Sequence, residues 1–316
     1  MAVLVCRPWR QLIPLSVVGV LVSVAYPNLV NAAISCVPPP VLSNPLSYNG
    51  LCPGDSGFPV NISANGRDVY VKLPTNRSCS RGFSVYKPRH TRITGGSLVF
   101  NDTASAVITI RDTTGDTMID GLYIDVRGKP ADAMRTFNNK GKVVVQNTYV
   151  KGISGVVNGT HGDLFHAQNG GPLAELTLQN VTGLTGYQGL FTPYRPSTGH
   201  GTRKLKLDRV NVGYDPGLAK TSGAGKPLML LFMGSADNSW DRVPDLGTTL
   251  SSVYVDGSYW NFPYYKAVYA YPSGTATCTS FDGKHKVSGQ VCGGKPADYA
   301  PSSQVGLSYN RANFCY

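Results

Sequence analysis

The chain has 316 residues, 29 of them Lys or Arg against 18 Asp or Glu, for a formal net charge of +11 at pH 7. A positive field of this size favours anionic partners, but no DNA-reading helix or basic-and-aromatic single-strand motif accompanies it, so nucleic acid is set aside. No Walker loop, dinucleotide fingerprint or G-x-S-x-G element is present either, which removes nucleotide-dependent and α/β-hydrolase chemistry.

Residues 1–33 read as a secretory signal peptide. Arg7 and Arg10 precede an apolar run from Leu12 to Ala25 that is too short for a bilayer span, and small residues suited to cleavage end at Ala33. Losing those two arginines takes the charge from +11 to +9. The expected product is secreted or periplasmic, with no membrane insertion. Of the seven cysteines, Cys6 lies in the leader, and the other six cluster at the two ends: Cys36, Cys52 and Cys79, then Cys278, Cys292 and Cys315. An even set without a C-x-x-C pair reads as disulfides formed in an oxidising compartment, not as a zinc site. Cys36–Cys52 and Cys278–Cys292 suit local loops, leaving Cys79–Cys315, although other pairings stay open.

Residues 34–82 are proline-rich and non-repetitive, and are expected to form an N-terminal cap. Residues 83–262 carry a repeat. An eight-residue phrase occurs at Thr117–Ile124 (TMIDGLYI), Val143–Val150 (VVVQNTYV), Leu176–Gly183 (LTLQNVTG), Leu205–Val212 (LKLDRVNV) and Thr248–Val255 (TTLSSVYV). Alternation marks each phrase as strand, and the break in parity after the fourth position predicts a bend at Gly121, Asn147, Asn180 or Arg209. A second strand precedes each later phrase, at Ala133–Phe137, Leu164–Gln168, Leu190–Tyr194 and Leu228–Phe232. Equivalent strands then stack about 4.8 Å apart, with Leu176, Leu178 and Val181 on Leu205, Leu207 and Val210. Residues 263–316 read as a C-terminal cap, since end coils otherwise expose strand edges. A sandwich of antiparallel hairpins is the rival, but tight Asn-Gly turns between phrases are scarce. Five N-x-S/T triplets, at Asn61, Asn76, Asn101, Asn158 and Asn180, matter only in a host that glycosylates.

With this coil pattern the chain resembles the right-handed parallel β-helix proteins of the pectate-lyase-like superfamily. The resemblance implies an all-β fold: a single-stranded right-handed parallel β-helix, or solenoid, with disulfide-tied N- and C-terminal caps. Many functions live on that fold, so the chemistry must come from the residues.

The densest polar cluster runs from His161 through Asp163 and His166 to Gln168. Phe165 is the natural core residue, which aims His166 and Gln168 outward. The next coil is expected to turn Phe191 inward and Thr192 and Tyr194 outward, with Arg195 at the strand end, while Arg135 and Asn138 come from the coil before. These groups suit β-elimination from an acidic, uronate-containing polysaccharide. Arg195 or Arg135 would neutralise the carboxylate, His166 would remove the adjacent proton and Tyr194 would protonate the departing oxygen. Asp163 would orient His161 or His166, or hold a cation.

No cofactor is expected. Calcium needs more carboxylates than Asp163 and Asp132 offer, and in His161-x-Asp163-x-x-His166 the strand parity separates Asp163 from His166 unless a turn intervenes. Gly199-His200-Gly201 resembles an element of polygalacturonases, but the paired carboxylates a glycosidase needs are missing. His200, Arg203 and Lys204 therefore read as a basic loop that attracts substrate. The aromatics from Tyr254 to Tyr271 are expected to pack the last coil. The expectation is a monomeric polysaccharide lyase. The alternatives are a non-catalytic β-helix that binds polysaccharide or a surface partner, and a glycoside hydrolase.

Overall fold

A computed structural model describes residues 34–155, 161–168, 172–192, 194–195, 200–218, 230–232, 246–256, 268–269, 278–280, 287–294 and 298–316. The leader read over residues 1–33 lies outside them, as does most of the loop before Gly247. Among the described residues there is no α-helix, and none of them forms a helix long and apolar enough to cross a membrane.

The chain is all-β and alternates between two long sheets. Leu46–Asn49 enters a twelve-stranded sheet, Asn61–Ser63 an eight-stranded one, and Val69–Lys72 returns to the first, beside Leu46–Asn49. Phe83–Tyr86 then returns to the second, beside Asn61–Ser63, and the alternation continues to Thr248–Asp256 and Val268–Tyr269. Within these two sheets every pairing among the described strands is parallel except the one between Cys278–Ser280 and Val287–Gly293 at the end of the twelve-stranded sheet. This solenoid-like arrangement is compatible with a β-helix: each coil buries its apolar residues against the next. Stacking starts at Leu46, inside the segment read from sequence as a cap.

The repeated phrase forms the interior ladder in the expected register. Val143, Leu176 and Leu205 lie in line, as do Val145, Leu178 and Leu207, then Thr148, Val181 and Val210, all buried. The bend falls at the fifth phrase position, where Gly121, Asn147, Asn180, Arg209 and Ser252 have φ of +80°, +51°, +57°, +57° and +52°. Asn tolerates this left-handed backbone, and its amide adds a ladder of its own. Asn180 Nδ2 donates to Asn147 Oδ1, and Asn147 Nδ2 to Asp120 Oδ1, both at 2.8 Å. Asn180 is buried there, so its glycosylation triplet is inaccessible in the folded protein.

The last stretch of the chain turns back from the strand Val287–Gly293, which pairs with the last phrase. Residues 298–316 run back across the middle of the twelve-stranded sheet, where Gly306 N donates to Gly121 O at 2.9 Å and Gly96 N to Gly306 O at 3.0 Å. Tyr309 and Phe314 pack with Val305, Ala300, Tyr123 and Tyr149 over the sheet. Gly121 is required twice over: by its positive φ, and because a Cβ there would meet the Tyr309 ring at 2.1 Å. This return explains the disulfides. Cys278–Cys292 forms as expected, but Cys36 pairs with Cys315 and Cys52 with Cys79, replacing the expected Cys36–Cys52 and Cys79–Cys315. Ile34 and Phe314 are hydrogen-bonded neighbours, so the nearest cysteine in space to Cys36 is the most distant in sequence. Three disulfides fit an oxidising compartment.

Candidate functional site

The site lies on the eight-stranded sheet and follows from its period of two. Phe83, Ile108, Met134, Phe165 and Leu190 align as the buried ladder. The residue after each faces the other way, giving the half-buried row Ser84, Thr109, Arg135, His166 and Phe191. Arg135 and His166 are direct register neighbours.

Each of these two residues is preceded, three positions earlier, by an aspartate: Asp132-Ala-Met-Arg135 and Asp163-Leu-Phe-His166. Both aspartates are fully buried where the chain enters the strand. Asp163 N donates to Asp132 Oδ1 at 2.9 Å, tying the two corners together. Asp132 Oδ2 accepts from Arg135 Nε at 2.5 Å, and the Arg135 guanidinium also donates to Ser105 Oγ at 3.2 Å and Ser105 O at 3.1 Å. His166 Nδ1 stands 2.8 Å from Asp163 Oδ2 and 3.3 Å from Asp132 Oδ2. These are ion-pair distances without hydrogen-bond alignment. The His166 ring meets Phe191 edge-on at 4.8 Å, and its side chain keeps 17% of its surface exposed.

The electrostatics follow from that burial. Desolvation raises the Asp163 carboxyl above the usual carboxylate range; the His166 contact opposes it and the Asp132 charge adds to it. Burial pulls His166 down, but the two carboxylates more than reverse this and hold it at about 9. The cluster thus sets two buried carboxyl groups against the Arg135 guanidinium and an imidazole held toward its charged form. Asp132, Asp163 and His166 each offer one ligand atom, all within 4.8 Å of one another. Two carboxylates with one imidazole suit a transition ion better than calcium.

The structure brings Arg135 beside His166 and, against the parity argument, sets Asp163 within 2.8 Å of it, because Asp163 lies before the strand Phe165–Gln168 and not on it; it also adds the contact of Asp132 to His166. The D-x-[MF]-[RH] echo between successive coils was the available signal. Thr192 is buried instead of facing outward, because Leu190 takes the core position and places Phe191 beside His166. Tyr194–Arg195 leaves the eight-stranded sheet and runs antiparallel to His200–Thr202 in a separate three-stranded sheet, so Tyr194 does not stack over Gln168. The side chains of Gln168, Tyr194, Arg195 and His200 lie outside the described set. His161 is exposed, with its ring 5.5 Å from that of Tyr187. Lys204 reaches Glu175 at 3.4 Å, alongside Lys142 and Lys206, in a cluster of its own. Arg203 is half-buried in the turn before Leu205, its N–H donating to Leu173 O at 2.9 Å.

No protein-family model matches this chain, and no curated protein or solved structure does so either.

Proposed function

We propose that this chain is a secreted right-handed β-helix protein, akin to the pectate-lyase-like superfamily, that cleaves an acidic, uronate-containing polysaccharide by β-elimination. The observation that carries the proposal is the placing of His166: its Nδ1 edge faces two buried carboxylates while the side chain stays partly open on a sheet face. The two carboxylates favour a neutral ring with its proton on the Nδ1 edge that faces them, which leaves the Nε2 lone pair for substrate.

Arg135, the register neighbour, supplies the cation that lowers the cost of charge building on the uronate. His166 Nε2 takes the proton beside the carboxylate, the electron pair forms the ring double bond, and the bond to the departing oxygen breaks. The imidazolium so formed returns its proton to that oxygen, which leaves no step that requires Tyr194. With a pKa of about 9, about one ring in a hundred is neutral at pH 7, so the reaction belongs to alkaline conditions.

A hydrolase fits less well. Its acid and base must flank the scissile bond, whereas both carboxylates here are fully buried behind His166. The test is a panel of polyuronates at pH 8 to 10, followed in the ultraviolet and by reducing-end assay. Growth of unsaturated-uronate absorbance supports elimination. Reducing ends without absorbance mean hydrolysis, and neither signal means a binding protein.

A further inference from the structure

We infer that Arg111 is a carboxylate-binding subsite, holding a second uronate of the same polymer away from the reacting one. Arg111 ends the strand Ala106–Arg111 on the outward face, with Tyr86 and Phe137 as register neighbours on either side. Its guanidinium carbon lies 4.6 Å from the Phe137 centroid and 5.7 Å from that of Tyr86. The two rings flank the planar fork and fix its direction.

What the fork lacks is an anion. Arg77, Arg89, Arg135 and Arg311 each sit on an aspartate. Arg111 makes no such pair among the described residues, and its Nε is buried without a hydrogen-bond partner. The carboxylate next to it in sequence, Asp112, is engaged by Asn138 Nδ2 at 2.7 Å. A half-buried arginine, pre-oriented and uncompensated, is built for an incoming carboxylate, which it can bind through two parallel N–H donors.

Its spacing from the site sets the ligand. The Arg111 strand adjoins that of Arg135, about 5 Å across the sheet and two residues out of register, and both guanidiniums stand by the Phe137 ring, 4.6 and 6.0 Å from its centroid. A polyuronate crossing the coils would thus bring one carboxylate to Arg135 and a later one to Arg111.

This inference rests on the reading of the site above, so its test measures binding apart from cleavage. Calorimetric titration with polygalacturonate and alginate oligomers is compared for the parent, Arg111→Ala, Arg111→Lys and, as a control, Arg92→Ala. Arg92 also stacks on a tyrosine, Tyr70, at 5.4 Å, but belongs to the other sheet. The expected result is an affinity ~10–100-fold lower in Arg111→Ala, a smaller loss in Arg111→Lys and none in Arg92→Ala, with melting temperatures unchanged. Carboxyl-reduced polymer should bind parent and Arg111→Ala alike. Equal binding of the charged oligomers by parent and Arg111→Ala overturns the subsite, and so does failure of the parent to bind any of them. If Arg111→Ala loses binding while the parent never cleaves, the subsite stands and the lyase reading falls.

Discussion

His166 and Asp132 lie on adjacent strands of one sheet, yet the Asp132 carboxylate comes within 3.3 Å of His166 Nδ1 while holding Arg135 at 2.5 Å. One buried anion thus serves both cations on the open face, and Asp163 supplies the second anion from beneath the histidine itself. Loss of either aspartate should therefore act through His166. Asp132→Asn and Asp163→Asn are expected to lower the histidine pKa from about 9 toward 6.5, moving the acid-side, rising limb of the pH–rate profile to lower pH. NMR titration of the imidazole checks the same shift without needing a substrate.

The histidine also links pH to stability. Its folded pKa is raised, so its contribution is fully present below the unfolded value near 6.5 and is lost as pH rises through about 9. The loss is on the order of 2–3 kcal/mol across that window. Denaturant titrations at pH 6 and pH 10 should show the difference in the parent and a much smaller one in His166→Gln. Asp68 carries the opposite dependence. The Arg89 guanidinium beside it, with the Ser43 and His90 N–H groups, lowers its pKa to about 2, so its contribution is present above 3.8 and lost as pH falls through 2. Asp68→Asn should flatten the acid side of the stability curve.

The interior ladder and the outward row should separate cleanly under mutation. Phe165→Ala, a core deletion, is expected to cost about 3–5 kcal/mol, and Leu207→Asp to prevent folding by burying an unpaired charge. His166→Ala removes no core contact but withdraws the charge facing Asp132 and Asp163, so at neutral pH it should lose about 2–3 kcal/mol, and near pH 10 it should melt close to the parent. Thermal unfolding of the three variants decides it.

The returning tail makes its own forecast. Non-reduced peptide mapping should find Cys36–Cys315, Cys52–Cys79 and Cys278–Cys292. Buried Asp120 receives both Tyr309 and Arg311 from that tail. Arg311→Ala should cost about 1–3 kcal/mol by leaving the carboxylate under-satisfied, and should raise amide exchange in residues 298–316 before the central strands.

The central coils were legible in the sequence because their signal is local and repeated: the alternation in Leu205–Val212 fixes its face, and the Asn147 and Asn180 positions mark the bend. His166 was placed correctly by the same parity argument from Phe165. That argument failed one coil later, because Leu190–Phe191 is a two-residue strand, and alternation over two residues cannot tell Phe191 from Leu190 as the inward side chain. Asp132 was passed over as part of the cluster because its contacts to His166 cross between coils. The Cys36–Cys315 pairing was unreadable for a stronger version of that reason: it depends on a tail that returns along the side of the sheet, and no local pattern records that path.

The account turns on His166 as the group that moves the proton, and one comparison tests it most directly. The rate of unsaturated-uronate formation is measured at saturating polyuronate and alkaline pH, for the parent and for folded His166→Ala. The expected result is a loss of about 10²–10⁴ in turnover, with oligomer affinity within a few-fold of the parent. Equal turnover in the two proteins would contradict the account and move the chemistry away from the Asp132–Asp163–His166 cluster.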